Sequence, residues 1–385
     1  MLRVLTLSTL FPDASRPSFG VFVERQTLGL AALPDAHVTV VAPVGLPPPP
    51  LARLRHAALA GLPERETWKG FDVHRPRFLA LPLTGGRWHA PLLARAIRPL
   101  LDRLAFDVID TSFFFPDGPA AVALGRRYGV PVSIKARGAD IHHWGRAPAT
   151  ASQVLAAGRA AQGLLAVSAA MRDDMVALGM PGTRIRVHHT GVDQDRFAPA
   201  DRAAAKAALG LAGPLVVSTG ALIGRKGHDV VIEAVASLPG VTLLVAGEGP
   251  ERQRLEALVA RLGLTGRVRL LGAVPHAELP RLLAAADVFA LASASEGLAN
   301  AWVEALACGV PIVVTEAGGA REVVTSPGAG RVAARTPAAF AEAIAELLAG
   351  PPDPEAVRAH ARRFTWEANA RALRDHLAAL VQSSG

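Results

Sequence analysis

The chain has 385 residues, half of them hydrophobic and 19% charged, and its 36 glycines and 30 prolines are scattered rather than clustered. This excludes a disordered, fibrous or coiled-coil protein and suits two domains of about 190 residues each. The net charge of +8 is uneven: residues 1–195 hold 22 basic and 15 acidic side chains and the remainder 19 and 18, which suits either an anionic partner on the first half or a solvated basic face without one.

The first apolar run, "RVLTLST", reads as a strand, because Pro12 and Asp13 stand where a secretory cleavage site would need small residues. "HVTVVAP", "FDVIDTS" and "VPVSIKA" follow at intervals, each trailed by ten or more residues of Ala/Leu/Arg-rich helical pattern. That alternation predicts a parallel sheet covered by helices on both faces. Between them, residues 43–101 mix prolines, arginines, Trp68 and Trp88 without clear strand spacing. They read as an irregular excursion, and the pairing of Arg with Trp and Leu also suits an acceptor or membrane-contacting surface. The segment "TGVDQDRFAPADRAAA" reads as a linker into a helix, and the boundary falls between residues 195 and 196.

The alternation restarts with "PLVVSTG", "VTLLVAG", "RVRLLG", "ADVFALAS" and "VPIVVT", which predicts a second doubly wound domain over 196–365. Ligands of open α/β sheets lie beyond the carboxyl ends of the strands, so two such domains are expected to face a deep cleft. No apolar run reaches the roughly 18 residues of a membrane span. One cysteine, Cys308, rules out a disulfide scaffold or a cysteine zinc cluster and fits a cytoplasmic setting, with peripheral contact at the inner face of an anionic membrane through the basic first half. Zinc-finger spacing, an RNA-binding aromatic signature and a basic stripe with interleaved aromatics are all missing, so no nucleic acid partner is expected.

The densest chemistry lies in "LASASEGLANAWVEALACGVPIVVTEAGGAREVV" (291–324). Ser293 and Ser295 follow a strand, Glu296 closes the loop, and "LANAWVEALACG" reads as a helix ending at Gly309. A helix start after a strand offers free amides to an anion. Glu304 lies eight residues beyond Glu296, on the order of 10 Å along a helix axis, a span that matches a diphosphate. The vicinal pairs His142–His143 and His188–His189, read on strands, point to opposite faces and do not suit one metal ion; Asp193–Gln194–Asp195 belongs to a turn, and His228 and His276 read as loop residues. No metal site is expected.

The order "SxxEG(x)6E", then "ACGVPIVVT" and "GGAREVV", resembles the Glu-x7-Glu signature of the family-4 retaining glycosyltransferases. "GALIGRKGHDVVIEA", "LLVAGEGPER", "RVRLLGAVPHAELPRLLAAADV" and "FTWEANA" agree in order, and "LAVSAAMRDDM", "TGVDQDRF" and "VPVSIKARGADI" match more loosely. The resemblance implies a GT-B fold of two Rossmann-like domains, 1–195 on the acceptor side and 196–365 for the nucleotide sugar, with a C-terminal helix near 366–385 returning to the first. It implies a retaining, metal-independent transfer of a sugar from a UDP- or GDP-sugar to a hydroxyl of a glycan or lipid-linked acceptor, as in cell-surface polysaccharide or glycolipid synthesis, with no bound cofactor. A nucleotide-sugar epimerase or hydrolase, or a non-catalytic nucleotide-sugar binder, are the alternatives on that fold.

Carried over residue by residue, the resemblance puts Glu304 on the nucleotide ribose and Glu296 by the donor sugar. It puts the amides of Gly297, Leu298 and Ala299 on sugar hydroxyls and phosphate, and Lys226, one of four lysines, on the diphosphate. Gly247, Glu248 and Gly249 would line the nucleotide, the backbone at Val274 the base, and Gly20 the donor phosphate. Three positions depart from the pattern, the mildest being Thr190, a turn substitution for the family's usual asparagine before "GVD". The family's phosphate-binding arginine after the glycine that is here Gly220 is replaced by Ala221, with Arg225 expected to substitute for it. Arg137 stands where the family often has histidine, bringing a positive charge that suits a phosphate or carboxylate.

Overall fold

The computed structural model describes residues 1–17, 19–52 and 56–384. They divide into two compact units, Met1–Thr190 with Trp366–Gly385, and Gly191–Thr365. The division falls five residues before the expected boundary, because the turn "GVDQDRF" is tied to the end of unit 2: Val192 N donates to Phe364 O at 2.9 Å and Gln194 Nε2 to Ala361 O at 2.8 Å.

In unit 1 the described residues form an eight-stranded sheet in the order β10 (Ile185–Val187), β9 (Gly163–Ala166), β8 (Val132–Ala136), β7 (Val108–Thr111), β1 (Leu2–Leu7), β2 (Ala36–Val41), β5 (Phe71–His74) and β4 (Arg65–Trp68). All neighbours are parallel except β4 and β5. Strands β7, β8 and β9 are buried along their whole length, as expected where helices cover both faces and a strand reads as a continuous apolar run. The segment 43–101 is more regular than its sequence suggests: it holds β4, β5, a separate parallel pair of β3 (Val44–Leu46) and β6 (Arg77–Leu79), and the helix His89–Leu101. These strands are only three or four residues long, too short for a period-2 pattern to stand out. Arg53, Leu54 and Arg55 lie outside the described residues. Trp68 is fixed by donating Nε1–H to Glu24, whereas Trp88 and Leu83 are exposed.

The C-terminal helix Trp366–Ser384 belongs to unit 1, where Leu373 and Leu377 join the core made by Val4, Val23, Val40 and Val73. Burying two leucines there stabilises the helix by several kcal/mol, at about 1.5–3 kcal/mol each.

Unit 2 has a six-stranded, all-parallel sheet among the described residues, in the order β13 (Val268–Gly272), β12 (Thr242–Ala246), β11 (Leu215–Thr219), β14 (Val288–Leu291), β15 (Ile312–Thr315) and β16 (Gly330–Ala333). Its first three strands run outward in one direction and the last three in the other. The direction reverses between β11 and β14, and the loops leaving their carboxyl ends diverge there to leave room for a ligand. Val216, Val231, Leu243, Val288 and Phe340 are at the centre of the core beneath.

Candidate functional site

Lys226 comes from the loop after β11 and Glu296 from the loop after β14, on either side of the reversal point. The β11 loop makes a short 3-10 turn, Gly224–Lys226, then enters the helix His228–Ala236 through Gly227 at φ +67°. A Cβ at Gly227 would sit 2.1 Å from the carbonyl oxygen of Ala292, so only glycine lets this loop lie against the end of β14. That approach delivers Lys226 Nζ to 2.6 Å from Glu296 Oε1. Ser293 Oγ donates to the same oxygen at 2.7 Å, and Arg225 Nη1 stands 3.6 Å from it while donating to Ser295 O at 2.5 Å. Glu296 is buried and held on one oxygen by a lysine and a hydroxyl, an arrangement that fixes its carboxylate plane. Arg335 spans the same two loops from further along the chain, donating Nε–H to Ala292 O and Nη2–H to Gly224 O, each at 2.8 Å.

The helix expected from Leu298 begins at Asn300 and ends at Ala307, with Gly309 at φ +71° beyond it. Residues 296–299 are therefore loop, and the helical rise does not set the spacing of Glu296 and Glu304 over that stretch. Leu298 and Ala299 are buried, and Gly297 O accepts from Gly319 N at 2.7 Å. Ala299 caps the helix with no side-chain acceptor, so the first-turn amides have no competing carboxylate or hydroxyl of their own cap. Glu304 points back to His276, whose Nε2 lies 2.9 Å from Glu304 Oε1. His276 is thus no bystander in its loop. Arg196 Nη2 donates to His276 O at 3.1 Å, and the ring of Phe197 packs edge-on to the imidazole, centroids 5.4 Å apart.

The neighbouring loops are joined backbone to backbone. Gly220 N donates to Ala246 O at 3.0 Å, Leu222 N to Glu248 O at 2.8 Å and Gly247 N to Gly272 O at 2.8 Å. Glu248 is exposed, and Gly249 underlies Leu222. Val274 is half-buried and lines a cavity of about 520 Å³ with Leu271, Leu282 and Ala205.

His228 departs from its expected loop position: it opens the helix after Gly227, buried, with Nδ1 3.1 Å from Ser218 Oγ. Burial, and then the charge of Lys226, push its pKa down to about 4. The unfolded chain therefore takes up a proton between pH 6.5 and 4 that the folded chain refuses, and this stability is complete above pH 6.5 and lost as the pH falls toward 4. The upper bound is about 3 kcal/mol at 1.36 kcal/mol per unit. Urea unfolding of His228→Asn is expected to show a flatter decline from pH 7 to 4.5 than the unaltered chain; parallel declines would contradict the assignment.

In unit 1, Arg137 leaves the end of β8. Its Nε donates to Ser112 O at 2.8 Å and its Nη2 to Gln26 Oε1 at 3.2 Å, with the guanidinium 4.5 Å over the ring of Phe22. Burial lowers its pKa to about 10, partly offset by the nearby charges of Asp140 and Asp110. Asp140 is a loop cap, accepting the N–H groups of Phe114, Arg137 and Gly138. Gln26 also accepts from the fully buried Lys135 at 2.9 Å, and Lys135 Nζ lies 2.9 Å from His188 Nδ1. Burial drives the Lys135 and His188 pKa values well down, and raises those of Asp110 to about 6 and Asp117 to about 7. Gly20 opens the helix Val21–Ala31 at φ +70°, and a Cβ there would lie 2.4 Å from Leu10 O, so the chain's own backbone already requires glycine. His142 and His143 are in the helical turn Asp140–Trp144 rather than on a strand, with His142 Nε2 2.8 Å from Asp174 Oδ2. Phe114 and Phe115 are core residues, and so is Cys308, whose thiol is pushed up to about 12 by burial. Among the described residues no three His, Cys, Asp or Glu side chains converge as metal ligands would.

Residues 201–364 match the model of the glycosyl transferases group 1, and residues 20–196 that of glycosyltransferase family 4. The chain belongs to the family-4, group 1 glycosyltransferases. This family-4 chain is 40% identical over 212 residues to D-inositol 3-phosphate glycosyltransferases of Mycobacterium tuberculosis and Mycobacterium bovis, a match covering 51% of this chain and 44% of each relative. It thus spans about half the length of those relatives. Its fold is GT-B. Sucrose-phosphate synthase from Thermosynechococcus elongatus superposes over all of both chains with a TM-score of 0.85 at 21% identity. Anabaena HepE in complex with UDP superposes over 98% of this chain and all of its own, with a TM-score of 0.74 at 20% identity. No described helix of the family-4 chain is long and apolar enough to cross a membrane.

Two contacts, one in each unit, had no signal in the sequence. The Ser293 hydroxyl could be suspected from its position three residues before Glu296, but His276 reaches Glu304 across 28 residues and Gln26 reaches Lys135 across 109.

Proposed function

We propose that this chain is a retaining glycosyltransferase that moves a sugar from a UDP- or GDP-sugar to a hydroxyl of a glycan or lipid-linked acceptor, in synthesis of a cell-surface polysaccharide or glycolipid. The observation that carries this reading is the Lys226–Glu296–Ser293 cluster at the reversal point of the unit 2 sheet, with Glu304 on the short helix that follows it. In the reaction the acceptor oxygen forms a bond to the sugar C1, the bond from C1 to the diphosphate oxygen breaks, and its electron pair leaves with the nucleoside diphosphate. The acceptor proton passes to that departing oxygen, so the protein supplies neither a nucleophile nor a metal ion. Lys226, with Arg225 in the same turn, takes the negative charge that grows on the diphosphate. Glu296 and the amides of Gly297, Leu298 and Ala299 orient the sugar, Glu304 accepts from the ribose diol, and the backbone at Gly247–Gly249 and Val274 borders the nucleotide.

Support for a uridine donor comes from Anabaena HepE, whose solved complexes hold UDP and UDP-glucose. The mycobacterial relatives are named for an acceptor that carries a phosphate. Arg137, positive and hydrogen-bonded through its guanidinium to the neutral acceptors Ser112 O and Gln26 Oε1, suits such an anion on the acceptor. Peripheral membrane contact at the cytoplasmic face is supported by exposed Leu83 and Trp88, with Arg87 beside the Trp88 ring.

The test is release of nucleoside diphosphate from UDP- and GDP-sugars in the presence of chelator and a panel of polyol phosphates, oligosaccharides and lipid-linked sugars. Release that needs an acceptor, with NMR showing the donor's anomeric configuration kept in the product, is expected. Release without acceptor would favour a hydrolase, and an inverted product would overturn the retaining assignment. Glu304→Ala is expected to weaken nucleotide binding about 10- to 100-fold, the cost of losing hydrogen bonds to a charged acceptor; titration calorimetry checks it.

A further inference from the structure

We propose that His276 is a positioning residue for the nucleotide ribose: it anchors one oxygen of Glu304 so that the other is presented to the ribose diol. The inference rests on the reading of Glu304 as the ribose carboxylate. A glutamate carboxyl rotates broadly about its last torsion, so an unsupported Glu304 would have to be ordered by the ligand at the ligand's expense. Here Nε2 of His276 lies 2.9 Å from Oε1, and Oε2 has no hydrogen-bond partner among the described residues. Glu304 is only 13% exposed, so the anchored rotamer is also confined by its surroundings.

The imidazole is itself held. Arg196 Nη2 donates to the His276 carbonyl at 3.1 Å, the Phe197 ring packs edge-on against the imidazole, and Arg196 N donates to Asp193 Oδ1 at 3.2 Å. The segment "GVDQDRF", which the chemistry of transfer does not otherwise use, thereby acquires a role. It buttresses the loop that carries His276, and through it the rotamer of Glu304. Such a second layer of support fixes a binding group in advance of its ligand. Held this way, the imidazole donates a hydrogen bond through Nε2–H, whichever state Nδ1 is in.

Titration calorimetry on the whole chain tests this with UDP and GDP, each paired with its 2′,3′-dideoxy counterpart. His276→Ala is expected to weaken binding of the ribonucleotide about three- to tenfold, the cost of ordering one side chain. It is expected to leave the dideoxynucleotide within twofold and to have no further effect in a Glu304→Ala background. His276→Gln keeps an N–H donor at similar reach and is expected to restore most of the ribonucleotide affinity. Equal weakening for both nucleotides, or a His276→Ala effect that persists beside Glu304→Ala, would assign His276 a general structural role and overturn the proposal. Should Glu304→Ala weaken the ribonucleotide while His276→Ala does not, the positioning role alone falls. Should Glu304→Ala leave ribonucleotide binding intact, the ribose reading falls and takes this proposal with it.

Discussion

Lys226→Ala is expected to lower sugar transfer by about 10²–10³-fold, the range found when a preorganised charge stabiliser is removed from a reacting centre. Two losses combine. The departing diphosphate loses the cation aimed at it, and Glu296 loses the partner 2.6 Å away, keeping only the Ser293 hydroxyl and Arg225 at 3.6 Å near its Oε1. A buried carboxylate stripped of its main counter-charge is costly and is expected to leave this rotamer. Lys226→Arg preserves charge but not shape, since a planar guanidinium cannot place one compact cation in a site where the lysine side chain is only 15% exposed. Partial recovery, well short of the unaltered rate, is therefore expected. Initial rates of nucleoside diphosphate release with saturating donor and acceptor measure both variants. A Lys226→Ala rate within threefold of the unaltered chain would remove the lysine from the mechanism.

The second large effect is on stability. At Gly247, φ is +155° and an added Cβ would lie 1.8 Å from the carbonyl oxygen of Gly220. The obstacle is backbone, so no side chain can swing away, and the β12 loop must part from the β11 loop. Gly247→Ala is expected to cost more than about 3 kcal/mol, in the class of strain and overpacking that gives the largest single-site losses. Gly240 gives the matched control: its φ is +78° but nothing lies within 4 Å of a Cβ there, so Gly240→Ala should cost only the left-handed backbone penalty of about 1–2 kcal/mol. Urea unfolding of the two variants separates conformational strain from collision. Similar small losses in both would mean that the two loops are not pressed together as described.

The alternation of strands and helices was legible because the central strands are buried on both faces. "PLVVSTG" and "ADVFALAS" read as apolar runs for the same reason that β11 and β14 are wholly buried. Glu296, Glu304 and Lys226 were legible through a spaced pattern shared with a family, and the structure brings Lys226 to Glu296 across 70 residues. What the pattern could not give is set by tertiary approach. Gly227 is required by Ala292, 65 positions away in the chain, and nothing local to "GRKGHD" announces it. The helix after Glu296 starts two residues later than its apolar spacing suggests, because Leu298 and Ala299 are buried as loop rather than as helix. His276 is a loop residue as expected, but its partners, Glu304 and Phe197, approach from opposite directions along the chain, so its contacts had no local signal. In unit 1 the same limit applies to Arg137: its charge was visible, but its partners Gln26 and Ser112 are supplied by other elements.

The most direct measurement of the central claim is calorimetric titration of the whole chain with UDP and GDP in excess chelator, repeated with Glu304→Ala and Lys226→Ala. The account predicts that one of the two nucleotides binds with a dissociation constant between about 1 µM and 1 mM, the usual range for enzyme substrates, and that each substitution weakens it at least tenfold. Protein shown to be folded that binds neither nucleotide, or binds one equally well in all three forms, would contradict the assignment of the unit 2 site to a nucleoside diphosphate.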